Sequence, residues 1–274
     1  MASEANAPPA DDLILEVRDG VAYATINRPH ARNAISSEII ERLVVYLKGL
    51  ESDRSVRALL FQAAGDTFIA GGDVRAFGEG LKMSDADRAQ DMRVRADRAS
   101  RLTLALTRIP QPVIVAARGF AVGVGMSLVC AADFALLSDN AKLVLSHVKL
   151  GMNPDGGATW FLPRLVGPKR AKEIAMLADP IPAAQALDWG LVNWVVPDAE
   201  LEARAEALAR RLADSPAPAI GEIKRLIDTS DQRDLTQQTA EETQGIGRCA
   251  LTADYVEGLS ALLEKRKPRF NAGG

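Results

Sequence analysis

The chain has 274 residues, with 33 basic against 36 acidic side chains, a formal net charge of −3, and 47% hydrophobic residues. That length and apolar share suffice for a substantial core, in one large domain or in a core with an appendage. The near-balanced charge supplies no general field for nucleic acid or a membrane surface, although a local basic patch for an anionic ligand stays open.

The opening residues, MASEANAPPADD, lack the basic start and apolar centre of a secretory leader, and 1–12 read as a disordered tail. Leu13–Arg18 and Val21–Asn27 alternate around Asp19-Gly20, a hairpin pattern. Ser36 caps a helical pattern running to about Ser52, and Ala58–Ala63 follows as a short buried strand. Ser84 to Arg108 reads as a long charged helix ended by Pro110 and Pro112, and Val113–Ala117 as another buried strand. Gly119–Gly125 is a glycine-punctuated turn opening a helix over Met126–Ala132, followed by strands at Phe134–Ser138 and Lys142–Leu145. From Asp155 onward helical patterns dominate, broken at Pro168, Pro180, Pro182, Pro197 and Pro216. The longest apolar stretch, Phe120 to Leu137, is interrupted by Gly123, Gly125, Ser127 and Asp133 and is too broken for a membrane span. Cys130 and Cys249 read as reduced, unpaired thiols, and the expected location is cytoplasmic. Alternating strands and helices followed by helices alone predict an α/β core over 13–200 and a helical C-terminal module over 201–274.

Three stretches carry candidate chemistry. Phe68-Ile69-Ala70-Gly71-Gly72-Asp73-Val74 follows a buried strand; its paired glycines permit close backbone approach, and Asp73 is placed to cap the next helix. Gly119 to Ser127 also joins a strand to a helix, so its free N–H groups and the helix dipole can hold an anion. It is no dinucleotide motif, because Ser127 and Leu128 stand where a third glycine is required. In the third, Lys149 to Trp160, Asp155 lies between Pro154 and Gly156 and suits either a desolvated base or a helix N-cap. His30 and His147 are the only histidines, so no histidine-based metal site is expected.

Together these motifs resemble the crotonase, or enoyl-CoA hydratase/isomerase, superfamily. Asn27-Arg28-Pro29 with Arg32-Asn33-Ala34, Ala183–Gly190 with Leu191-Val192, and the ending from Glu257-Gly258-Leu259 through Lys267-Pro268-Arg269-Phe270 belong to the same likeness. The resemblance implies a spiral of ββα units with a helical C-terminal module. It implies no permanently bound cofactor, with coenzyme A arriving as part of the substrate, and a homo-oligomer, a trimer or a dimer of trimers. It assigns the backbone N–H groups of Gly72 and Val124 to the thioester oxygen, where preorganised amides are worth roughly 3–4 kcal/mol each. Coenzyme A contacts are implied at Arg28 to Ala31, at the Ala70 carbonyl, at Asp73, Val74 and Arg75, and at Lys267 and Phe270 on the C-terminal helix, often across a subunit boundary.

One departure narrows the reaction. Hydratases of this superfamily carry a pair of glutamates whose positions are here Ser127 and His147. Adding water requires positioning it and giving a proton to the α-carbon, and serine is neither acid nor base at neutral pH. Pro154-Asp155-Gly156-Gly157, with Thr159-Trp160 and Leu162-Pro163-Arg164, looks most like the phenylacetate-type enoyl-CoA isomerases, in which a single aspartate shuttles a proton. The expected activity is therefore double-bond isomerisation with Asp155 as base. The alternatives are an enoyl-CoA hydratase of fatty-acid or aromatic catabolism, a CoA-thioester hydrolase in which His147 activates Ser127, and a catalytically silent CoA-binding protein. Residues 78–105 are expected to cover the acyl pocket.

Overall fold

A computed structural model describes residues 11–72 and 74–271, with the side chains of residues 74–76 left out of the description. The predicted tail thus lies almost wholly outside the described residues, and Asp73 does too. Strands β1 (Leu13–Arg18) and β2 (Val21–Ile26) form the expected hairpin. Asp19 and Gly20 both take positive φ, 51° and 76°, as a two-residue hairpin turn requires. Helix α1 (Ser37–Leu50) begins where the Ser36 hydroxyl accepts the Ile39 N–H at 3.3 Å. After β3 (Ala58–Ala63) come a short helix α2 (Val74–Glu79) and the long helix α3 (Asp85–Arg108), capped by Ser84.

The next units repeat one plan. Strand β4 (Val113–Ala117) lies in the main sheet, β5 (Phe120–Val122) leaves it, and α4 (Val124–Ala131) follows. Likewise β6 (Phe134–Ser138) lies in the main sheet, β7 (Lys142–Val144) leaves it, and α5 (Ala158–Leu177) follows a 3-10 turn. The predicted turn at Gly119–Gly125 thus contains a strand. Helix α5 bends at Gly167, where φ is 75°, next to Pro168. Then come β8 (Ile181–Pro182), α6 (Ala183–Asp188) and β9 (Trp194–Val196). The main sheet has the order β1-β2-β3-β4-β6-β9 and is parallel from β2 onward; β5, β7 and β8 form the second sheet. This is the ββα spiral that the family likeness implies.

A parallel sheet needs cover on both faces, which is why β2, β3 and β4 read as nearly continuous apolar runs. One face packs under α1, α3 and α4 through Leu43, Leu102 and Val129. The other receives α7 (Leu201–Ala213), whose Ala205, Ala209 and Ala213 are wholly buried and allow close approach. Helices α8 (Ala217–Asp228), α9 (Leu235–Ala250) and α10 (Ala253–Leu263) complete the described chain. Among the described residues no helix is long and apolar enough to cross a membrane. Cys130 is buried, and burial pushes its thiol up to about 12.

Glu222 ties α8 to α9. Its carboxylate accepts from Arg225 and Arg248, each at 2.6 Å, and these bonds hold its pKa at about 2 against an ordinary 4.5. A depressed pKa contributes stability above the unfolded value, and that contribution is lost as pH falls through the folded one. Glu222→Gln is therefore expected to lower the urea midpoint at pH 7, with the deficit closing between pH 4.5 and 2. A deficit that stays constant across that window would show that the carboxylate charge is not what joins the helices.

Candidate active site

Two backbone crossovers assemble the site. Ile69, after β3, bridges to Ala121 of β5: its N–H donates to the Phe120 carbonyl at 3.1 Å and its carbonyl accepts the Val122 N–H at 2.8 Å. Beyond it Gly71 takes φ 107°, a value that favours glycine, and its carbonyl accepts the Ile35 N–H at 3.0 Å. On the other side Gly123, at φ 57°, caps α4 and donates to Val144 at 2.9 Å. Gly125 lets α4 lie directly on the first segment, since a Cβ there would come 2.8 Å from the Ile69 Cβ and 2.9 Å from its carbonyl oxygen. Among the described residues no backbone carbonyl accepts from the N–H of Gly72 or of Val124. Both residues line one cavity of about 500 Å³, and Val124 is the first residue of α4, where the dipole favours negative charge.

Asp155 and His147 line the same cavity. His147 sits on the 3-10 turn Ser146–Leu150, which Gly151 closes in the left-handed conformation. Asp155 does not cap α5: Gly157 occupies that position, and the side chain of Asp155 turns instead to His147, with Oδ1 3.1 Å from Nε2. The Asp155 backbone is clamped from two sides. The Ser127 hydroxyl donates to its carbonyl at 3.1 Å, and Thr103 of α3 donates to the Gly156 carbonyl at 3.0 Å. Gly156 must lack a side chain, since φ is 58° and a Cβ would lie 3.0 Å from the Ser127 Cβ.

His147 is buried, and its Nδ1 has no partner among the described residues. A buried N–H without an acceptor is costly, so the donor in this contact is Nε2, whose N–H points to the Asp155 carboxylate. That bond orients one carboxylate oxygen and leaves the other for a ligand. Ser127 is fully buried and spends its hydroxyl on the carbonyls of Gly123 and Asp155. The nitrogen of His147 meets Asp155, so the Ser–His pairing of a hydrolase is not formed.

The remaining sequence candidates are more scattered. Arg28 is engaged within the chain, donating to the Ala34 carbonyl at 2.7 Å and pairing with Asp12 at 2.9 Å. Ala31 closes a 3-10 turn, and Ala70 lies beside that strip, its N–H donating to Arg32 at 3.1 Å. Asp73 falls outside the described residues, as do the side chains of Val74 and Arg75 at the start of α2. Lys267 and Phe270 are not on a helix, because α10 ends at Leu263. Phe270 folds back on Gly258, 3.3 Å from where a Cβ would stand, and neither residue lines the cavity within one chain.

The structure also brings in residues that motif reading passed over. Phe77 packs against Gly72, with Cζ 2.8 Å from where a Cβ would stand, and Met152 forms another wall. Helix α3 lines the cavity with Met92, Ala96 and Ala99 together with Arg93, Arg95 and Arg98.

A family model described as enoyl-CoA hydratase/isomerase matches residues 16–273. The chain belongs to the enoyl-CoA hydratase/isomerase family. Its relatives in that family include the 1,2-epoxyphenylacetyl-CoA isomerase of Escherichia coli (strain K12), 36% identical over 94% of this chain and 97% of that protein. They also include the crotonyl-CoA hydratase of Syntrophomonas wolfei, 35% identical over 95% of this chain and 98% of that one. Among solved structures of the family, the enoyl-CoA hydratase from Bacillus anthracis superposes with a TM-score of 0.88 at 30% identity, covering 95% of this chain and 99% of the other. The chain is thus a member of a family of enzymes, and its relatives include both isomerases and hydratases.

Proposed function

We propose that the protein is an enoyl-CoA isomerase that moves a double bond through a thioester dienolate. The observation carrying this reading is that Asp155 is the lone carboxylate among the described residues lining a cavity that also presents the N–H groups of Gly72 and Val124. In the forward direction Asp155 removes an α-proton from a 3-enoyl-CoA. The electron pair spreads over the dienolate, and its charge rests on the thioester oxygen between the two amides. The protonated Asp155 then returns the proton at the γ-carbon, giving the 2-enoyl-CoA. One base suffices because the same proton is taken and given back.

Ser127 supports this reading by what it does instead of acid–base work: it holds the carbonyl of Asp155 in place. A second reading, hydration, is favoured by the contact between His147 and Asp155, since two polar groups side by side are able to position a water molecule. The deciding experiment follows 3-enoyl to 2-enoyl isomerisation and crotonyl-CoA hydration on one preparation at matched concentration. Isomerisation with negligible hydration is expected; fast hydration would sink the isomerase reading.

A further inference from the structure

Asp155 is followed by two glycines, Gly156 and Gly157, at φ 58° and 79°. Glycine restricts the chain least of all residues, so a base beside two of them keeps a fixed position only if other groups hold it. Helix α4 reaches the Asp155 carbonyl through Ser127 at 3.1 Å, and helix α3 reaches the Gly156 carbonyl through Thr103 at 3.0 Å. Thr103 is only 4% exposed, and Gly156 is buried. Among the described residues no backbone N–H donates to the Gly156 carbonyl, so the threonine is its partner. A threonine hydroxyl has one hydrogen, and within a helix it commonly goes to the carbonyl four residues back. For Thr103 that carbonyl belongs to Ala99, at 3.2 Å; the Gly156 carbonyl is nearer, and the helix already supplies Ala99 with an N–H.

The place of Thr103 on α3 gives this bond its meaning. Met92, Ala96 and Ala99 line the cavity, and Thr103 continues their helical spacing along the same face. The apolar stripe that walls the cavity thus ends in the hydroxyl that holds the segment of the base. Taking Asp155 as the base of the proposed isomerisation, we infer that Thr103 is a positioning residue: its hydroxyl pins the Asp155–Gly157 segment to α3 and so fixes the base against the wall that the acyl group touches. The methyl group of Thr103 makes a separate contact, 3.5 Å from where a Gly157 Cβ would stand, so hydroxyl and methyl are testable apart.

Thr103→Val keeps the methyl and the shape but removes the hydroxyl, and Thr103→Ser does the reverse. Thr107→Val is the control, one turn further along, where the hydroxyl lost bonds only to the carbonyls of Thr103 and Leu104 in α3 itself. Thr103→Val is expected to lower isomerase kcat on the order of tenfold with KM within about twofold, since a displaced base loses rate while the cavity walls keep their affinity. Thr103→Ser is expected within about threefold of the wild-type kcat, and Thr107→Val at the wild-type value. Amide hydrogen exchange over residues 151–160, followed by mass spectrometry without substrate, is expected to quicken about fivefold in Thr103→Val and in neither of the others. Thr103→Ala carries the same expectation should Thr103→Val not fold. Wild-type exchange over that segment in a hydroxyl-free variant overturns the inference, as does a change in KM alone. Losses as large in Thr103→Ser or Thr107→Val also overturn it, because the methyl or the helix would then be responsible. Failure of the isomerase reading appears elsewhere, in Asp155→Asn turning over like the wild type, while the exchange rates still report on the clamp.

Discussion

Replacing Asp155 with asparagine is expected to lower isomerase kcat by about 10²- to 10⁴-fold, the range that a positioned acid–base group contributes. The substitution keeps the size and planarity of the side chain and a partner for His147 Nε2, at present 3.1 Å from Oδ1. It removes only the capacity to take and return a proton. Ligand affinity is expected to change little, because the two backbone amides and the walls of the cavity are untouched. Such a loss corresponds to about 3–5 kcal/mol of transition-state stabilisation. A variant keeping kcat within about tenfold of the wild type would place the proton transfer elsewhere, with His147 the remaining titratable group beside it.

Gly125→Ala is expected to produce the other large effect, by a different route. An added methyl would meet the Cβ of Ile69 at 2.8 Å and its carbonyl oxygen at 2.9 Å. Neither atom is the free end of a flexible side chain, so the start of α4 must retreat from the Ile69–Gly72 segment. Overpacking of this kind costs about 1–3 kcal/mol in stability. The catalytic consequence is larger, since the Val124 N–H moves with the helix, and misplacing a reactive group by about 1 Å costs on the order of 10²-fold. The expected result is a folded protein, slightly lowered in melting temperature, with kcat reduced about a hundredfold. Unchanged kcat in a folded variant would mean that the spacing between the two glycine segments does not govern the reaction.

The parts of this architecture legible in sequence are those set by local chemistry. Asp19-Gly20 announces a turn with two positive φ angles, Ser84 announces the start of α3, and the glycines at 71–72 and 123–125 mark places where backbone must come close. What was not legible depends on partners remote in the chain. Strand β5 is three residues long and exists because β7 and Ile69 pair with it, so its own residues read only as a turn. Asp155 in isolation suits a helix cap; Gly156 and Gly157, both at positive φ, displace the helix start and free the side chain for His147. Helix α3 reads only as a long charged helix, because no local pattern tells which of its charged residues face water and which line a cavity. Lys267 and Phe270 were expected on the last helix, yet the chain leaves that helix at Leu263 and Lys265 turns it with φ 55°.

The bridge between Ile69 and Ala121 carries a kinetic consequence. The segments it joins are separated in sequence by α2, α3 and β4, so the contact closes a long loop whose ordering entropy must be met before any hydrogen bond rewards it. The β1–β2 hairpin forms from neighbouring residues and needs no such closure. During refolding, hairpin and helix signals thus precede the moment when Gly72 and Val124 face one cavity, and regained turnover marks the end of the process.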